Sequence, residues 1–267
     1  MYSFEYHRPA DVAQAAALLA RQDGAKALAG GQTLVATMKL RLASPSDLVD
    51  LGAISELRGI RVQGSELIVG AMTPHAEVAA SAEVKSRIPA LAGLAGGIGD
   101  RQVRALGTLG GSIANNDPAA DYPAGVLGLG ATVITTARRV AADDFFTGMY
   151  ETALQPGELI IAVSFPLPKR AGYAKFNNPA SRFGLAGVMV SQAASGAVRV
   201  AVTGAGGGVF RVAEMERALS ASFAPAAVEG IRVAADTLNG DLHASAEYRA
   251  HLITVMAKRA VAAALAG

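Results

Sequence analysis

The sequence predicts an α+β protein in three parts, and three observations carry that expectation. The N-terminal segment alternates strand and helix signals. From about Ile54 short strand patterns mix with helical pieces. Beyond Pro166 and Pro168 a few strand patterns give way to helical ones. The boundaries so placed divide the chain into 1–53, 54–168 and 169–267.

In the first part, residues 3–6 form a short strand pattern. Pro9 then opens a helix whose apolar positions Val12, Ala15, Ala16 and Leu19 follow the i, i+3, i+4, i+7 rule. Gly24 stops it, and residues 26–29 are the next strand. Gly30-Gly31-Gln32-Thr33 leads into a helix marked by Leu34, Met38 and Leu42, which Pro45 ends before a third strand at 48–51. Strand–helix–strand–helix–strand predicts a small parallel sheet with right-handed crossovers. In the middle part, strand patterns fall at 60–62, 67–69, 132–136 and 159–165. Thr73-Pro74 has the form of a helix start, with threonine at the cap and proline at the first helical position. Further helices are expected at 89–98 and 122–129. The last part has strands at 173–177, 188–194 and 198–203, then three helical patterns. The final one carries Tyr248, Leu252, Val255 and Met256 on one face, so the tail is a small sheet plus a helical cluster.

Composition excludes several functions. Hydrophobic residues make up 51% of the 267 and charged ones only 17%, with a formal net charge of +2. That suits a packed globular chain, and no basic stripe or polybasic run points to nucleic acid or a membrane surface. There is no cysteine, which excludes disulfides, thiolate metal sites, iron–sulfur ligation and a cysteine nucleophile. His7, His75, His243 and His251 are scattered without metal-ligand spacing. The N-terminus lacks the charged-then-apolar pattern of a secretory signal, and no apolar run is long enough to span a membrane. The expected location is the cytoplasm. No Ser-His-Asp set and no paired carboxylates suggest hydrolysis. Chemistry, if any, comes from a bound cofactor.

Two glycine turns are the candidate binding elements. Ala29-Gly30-Gly31-Gln32-Thr33 joins a strand to a helix, where free first-turn N–H groups favour an anion and Thr33 can cap or donate. Thr108-Leu109-Gly110-Gly111-Ser112 repeats the pattern, with Leu109 expected inward and the neighbouring N–H groups expected toward a ligand. Either turn alone reads equally as structural. Two in different parts of the chain suit a diphosphate held from both walls of a cleft. Gly204-Ala205-Gly206-Gly207-Gly208 mimics a dinucleotide fingerprint, but Val209 stands at its third glycine position and helical patterns follow to the end. It reads as a bend in the C-terminal sheet. Asp121 either caps the 122–129 helix or accepts hydrogen bonds from a ligand. Asn115 and Asn116 shape the turn before it. Arg101 and Arg104 either pair with phosphate or stay solvated.

Long stretches of the chain resemble one family. Phe4-Glu5-Tyr6 with Pro9, AGGQTLVATMKLRLASPSDLVDL from Ala29, IGDRQVRALGTLGGSIANNDPAADYP from Ile98, GELIIAVSFP from Gly157 and KFNNPASRFGLAGV from Lys175 are similar to the FAD-binding medium subunit of molybdenum hydroxylases, the carbon monoxide dehydrogenase and xanthine dehydrogenase family. The resemblance implies a PCMH-type FAD-binding fold, with two N-terminal subdomains sandwiching FAD and a C-terminal α+β domain covering the flavin side. It implies FAD contacts from Ala29, Gly30, Gly31, Gln32, Thr33 and Leu34, and from Thr108, Leu109, Gly110, Gly111 and Ser112. It adds Ile98 against the cofactor, Asp121 bonding to it and Ile160 beside the isoalloxazine. Some members place a lysine just after the phenylalanine of the last motif; here Asn177 follows Phe176 and Lys175 precedes it, so either stands near the flavin. The resemblance further implies an oxidoreductase subunit that takes electrons from a [2Fe-2S] small subunit and passes them to an external acceptor. A molybdenum cofactor-binding large subunit would set the substrate, within a dimer of heterotrimers. The alternatives are an FAD-free interaction subunit and a free-standing FAD oxidase.

Overall fold

The computed structural model describes residues 1–21 and 23–267. The first part runs β1 (Glu5–His7), α1 (Val12–Arg21), β2 (Lys26–Leu28), α2 (Leu34–Lys39) and β3 (Asp47–Asp50). Its sheet is parallel in the order β1-β3-β2. The β-α-β-α-β alternation predicts that parallel arrangement, since each crossover helix returns the chain in the same direction. The central strand β3 is the most buried of the three, with Leu48 and Val49 in the interior. Val49 joins Ala15, Leu51, Ile54, Leu57, Met72 and Leu159 in a small core. Helix α2 is shorter than its apolar spacing suggests. Arg41 turns left-handed at φ 61°, and the Leu42 N–H returns to the Thr37 carbonyl. Leu42 is therefore 77% exposed rather than on a helix face.

The second part holds β4 (Ile60–Gln63), β5 (Glu66–Gly70), α3 (His75–Ala80), α4 (Ala82–Arg87), α5 (Pro89–Gly96), α6 (Arg101–Leu106), α7 (Leu109–Asn115) and α8 (Tyr122–Gly128). It continues through β6 (Thr132–Thr135), β7 (Arg139–Ala141), α9 (Ala142–Phe145), β8 (Phe146–Gly148), β9 (Glu151–Thr152) and β10 (Ile160–Pro166). A five-stranded antiparallel sheet, β4-β5-β10-β6-β7, has β10 at its centre. The glycine-rich stretch between α5 and β6 is mostly helical. Asp100 caps α6 by accepting from the Val103 N–H at 2.8 Å, and Thr108 caps α7 by accepting from the Gly111 N–H at 3.1 Å. Thr73 caps nothing: Pro74 holds the N-cap position of α3, and the Thr73 hydroxyl bonds the Gly59 backbone instead.

The third part runs β11 (Arg170–Asn177), β12 (Gly184–Gln192), β13 (Val198–Thr203), β14 (Phe210–Arg211), α10 (Ala213–Ala221) and α11 (Ala246–Ala266). Short 3-10 turns at Pro225–Val228 and Ala235–Thr237 replace one of the expected helices. The sheet is antiparallel in chain order. The 204–208 run is the hairpin connection from β13 to β14, so one short strand precedes the closing helices. Helix α11 lies across β11 and β12 on one face of this sheet. The other face meets α8, whose seven residues are all buried. Met189 and Ala201 from this sheet belong to the core of the second part. The Ser191 hydroxyl donates to the Gly128 carbonyl at 2.6 Å, and Arg199 Nε to that of Leu127 at 2.9 Å. The first bond satisfies the Gly128 carbonyl, which would otherwise be orphaned away from water, and the second adds to the Gly130 N–H already on the Leu127 carbonyl.

Candidate functional site

The first glycine turn sits between β2 and α2, as the sequence implies. Gly31 takes φ +69°, a conformation that favours glycine, and its carbonyl accepts the Val35 N–H. The N–H groups of Gln32, Thr33 and Leu34 have no acceptor among the described residues. Thr33 occupies the N-cap position, yet its side chain makes no capping bond. Gln32 and Thr33 are exposed, while Ala29, Gly30, Gly31 and Leu34 are half-buried. The turn thus offers a row of open amides and a hydroxyl, the donor set that a helix start presents to an anion.

The second turn is built differently from the backbone nest expected of it. The Leu109 and Gly110 N–H groups donate to the carbonyls of Thr73 at 3.2 Å and Ala71 at 2.8 Å. The Gly111 N–H is taken by Thr108 Oγ1, and that of Ser112 by the Thr108 carbonyl. Leu109 points inward and is fully buried, as expected, and Thr108 and Gly110 are buried with it. The half-buried Gly111 and Ser112 are the part of this turn left open, so this wall offers a hydroxyl and a bare backbone face.

The two turns touch. A Cβ on Gly30 would lie 2.1 Å from the Leu106 carbonyl oxygen and 2.7 Å from Gly107 Cα. A Cβ on Gly111 would lie 3.2 Å from Ala29 Cβ and 2.9 Å from Thr108 Oγ1. The glycines at Gly30 and Gly111 therefore let the two turns pack directly against each other. Gly107 belongs to this contact and was missed by motif reading, although it immediately precedes Thr108. Behind it lies His75, whose backbone N–H donates to the Gly107 carbonyl at 2.9 Å. Burial and the nearby Arg104 charge lower the His75 pKa to about 4, which keeps the imidazole neutral.

A second cluster forms around Asp121, which is 5% exposed. Its carboxylate does not cap α8. Oδ1 accepts from the Tyr173 hydroxyl at 2.6 Å, and Oδ2 from Lys175 Nζ at 3.1 Å. Lys175 also donates to the Gly97 carbonyl at 2.9 Å, beside half-buried Ile98. Burial pushes the Asp121 pKa up, while the Lys175 ammonium and the Tyr173 hydroxyl pull it back. Burial and the Asp121 carboxylate raise Tyr173, so it stays a hydroxyl donor. Tyr173 was not singled out from sequence, though it stands two residues before Lys175 and so shares its strand face. Asn177 is exposed, and it is Lys175 that turns into the cluster. Arg104 is half-buried, and its Nη1 donates to the carbonyls of Ile98 and Gly99. Arg101 is exposed. Asn116, left-handed at φ 45°, holds the β8–β9 hairpin through the Gly148 and Glu151 carbonyls. Ile160 is 6% exposed and packs in the core of the second part.

The family model described as FAD binding domain in molybdopterin dehydrogenase matches residues 2–168. The carbon monoxide dehydrogenase medium chain of Afipia carboxidovorans is 44% identical over 178 residues, a stretch that spans 64% of this chain and 62% of that one. The carbon monoxide dehydrogenase medium chain of Hydrogenophaga pseudoflava is 37% identical over 279 residues, covering 98% of this chain and 97% of that one. Among solved structures, carbon monoxide dehydrogenase from Hydrogenophaga pseudoflava, in a form lacking the Mo-pyranopterin moiety, matches with a TM-score of 0.89 at 36% identity. That match covers 99% of this chain and 98% of that one.

Proposed function

The chain belongs to the family of FAD-binding domains of molybdopterin dehydrogenases, and from that premise we propose that it is the flavoprotein subunit of a multi-subunit molybdenum hydroxylase. FAD is the cofactor of this family. The residues present suit it. The open amides of Gln32, Thr33 and Leu34 match a diphosphate, and the close contact of Gly30 with Leu106 sets the second wall beside them. Gly111 and Ser112, left half-buried on that second wall, would face the cofactor from the other side. Ile98, with Asp121 and Lys175 behind it, would bound the part of FAD beyond the phosphates, and Ile160 would support it from the core. FAD supplies the redox chemistry when bound; the chain binds it, orients it and limits its exposure to water.

In this reading electrons arrive from [2Fe-2S] clusters of a small subunit and leave to an external acceptor, while a large subunit with the molybdenum cofactor oxidises the substrate. The three subunits would pair as a dimer of heterotrimers, in the cytoplasm. The absence of cysteine supports the division of labour, because any cluster must be ligated by another chain. No helix among the described residues is long and apolar enough to cross a membrane. The observation that carries the reading is the pair of touching glycine walls with open amides on one of them. The test is purification of the chain from its natural host at native abundance. FAD, iron and molybdenum in constant ratio with this chain are expected. A chain that purifies alone with FAD, and with neither metal, would overturn it.

A further inference from the structure

The turn between α5 and α6 carries three consecutive carbonyls, and each one is held by a cation. Lys175 Nζ donates to the Gly97 carbonyl at 2.9 Å, and Arg104 Nη1 donates to those of Ile98 at 2.9 Å and Gly99 at 3.0 Å. Arg104 comes from α6, the next element along the chain. Lys175 comes from β11, 78 residues from Gly97 and in another part of the fold. The backbone is fixed from the other side as well, since the Gly97 and Ile98 N–H groups bond back into α5. Gly99 is left-handed at φ +50°, and Asp100 then starts α6 with its side-chain cap.

A cation near a helix C-terminus is ordinary, because it meets carbonyls without intrahelical partners and the negative end of the dipole. Three features go beyond that. Every carbonyl of the turn is occupied. One of the two cations is a buried lysine whose other bond is to Asp121. And the residue at the centre of the turn, Ile98, projects only half-buried.

We propose that Arg104 and Lys175 are positioning residues that fix the Gly97–Gly99 turn, so that Ile98 presents a defined apolar surface to the flavin. Because Lys175 belongs to β11, the seating of the C-terminal sheet sets the height of that surface. The inference rests on the reading above that Ile98 faces the cofactor. It assigns Arg104 a role that neither phosphate binding nor solvation requires.

The experiment uses the full chain loaded with FAD, in wild-type form and as Arg104→Met, Arg104→Lys and Ile98→Ala. Visible circular dichroism of the bound flavin reports its asymmetric surroundings, fluorescence quenching gives FAD affinity, and apoprotein melting gives stability. Ile98→Ala and Arg104→Met are expected to change the flavin dichroism in the same sense. Arg104→Met should also weaken FAD binding about tenfold, as expected when charge-assisted bonds that order the site are lost. Arg104→Lys, which keeps a cation able to donate to two carbonyls, should restore the wild-type signal. Should Arg104→Met not fold, Arg104→Gln keeps an NH2 donor without the charge and should show an intermediate change. If Ile98→Ala alters the flavin signal while Arg104→Met lowers only the melting point, the clamp is merely structural and the proposal fails. If Ile98→Ala alters neither signal nor affinity, the placement of Ile98 on the flavin fails, and the proposal with it.

Discussion

Replacing Gly30 by alanine tests the idea that the cleft is built on contact between its walls. The added Cβ would stand 2.1 Å from the Leu106 carbonyl oxygen and 2.7 Å from Gly107 Cα, both backbone atoms that no rotamer change can move. Non-bonded contacts relax toward roughly 3.5 Å, so the walls must part by more than about 1 Å. Overpacking of this kind costs about 1–3 kcal/mol. The strain falls at the junction of the two turns and is relieved by opening the cleft, which a ligand bridging both walls opposes. FAD affinity should drop by about ten- to a hundredfold, since each 1.4 kcal/mol is a factor of ten. Each kcal/mol should also lower the melting temperature by about 2–4 °C. The assay is fluorescence titration with FAD beside thermal unfolding of the apoprotein. Gly208→Ala is the control, because nothing lies within 4 Å of its Cβ position. Wild-type affinity and an unchanged melt in Gly30→Ala would refute the wall-contact account.

Three further outcomes are expected. Lys175→Met leaves the Asp121 carboxylate buried with only Tyr173, and breaking a buried pair from one side costs about 3–5 kcal/mol. Asp121→Asn/Lys175→Met should be less destabilised than the sum of the single changes by at least about 1 kcal/mol in urea unfolding, and strict additivity would count against the pair. His75 is neutral when folded and titrates near its ordinary value when unfolded, so the unfolded chain binds the extra proton and stability falls as pH drops from 6.5 toward 4. The loss specific to His75 should approach about 3 kcal/mol and be absent from His75→Asn, and parallel acid limbs for the two proteins would contradict it. Gly206→Ala should change neither FAD content nor melting temperature, because its Cβ would make only ordinary contacts, with Phe210 at 3.4 Å and the Thr237 carbonyl oxygen at 3.6 Å, and its φ is not positive. Loss of FAD from a folded Gly206→Ala protein would return the 204–208 run to the site.

Local signals and long-range ones were unequally legible. The parallel order of the first sheet follows from alternation of elements, and the two glycine turns follow from residue types at strand–helix junctions. The capping residues Asp100 and Thr108 were equally present in the sequence, yet the glycines around them suggested a loop where α6 and α7 form. Periodicity overran α2, because Leu42 keeps helical spacing while Arg41 reverses the chain. Asp121 shows what local reading misses. A cap is the natural local role for it, but Tyr173 and Lys175, 52 and 54 residues away, claim its oxygens. Nothing near Asp121 announces them. The same holds for the contact of Gly30 with Leu106, which joins two motifs that sequence analysis could place only separately.

Helix α8 has no outward face. The core of the second part lies on one side and the C-terminal sheet on the other, and all seven of its residues are buried between them. The matched family segment ends at residue 168, before that sheet begins. A fragment cut there would keep the cleft's glycine turns and lose the surface that covers α8. Its exposed apolar helix would invite aggregation. The chain should accordingly melt in one transition, and a relative's C-terminal sheet grafted at residue 168 should be tolerated only when its counterparts of Met189, Ser191 and Arg199 fit this helix.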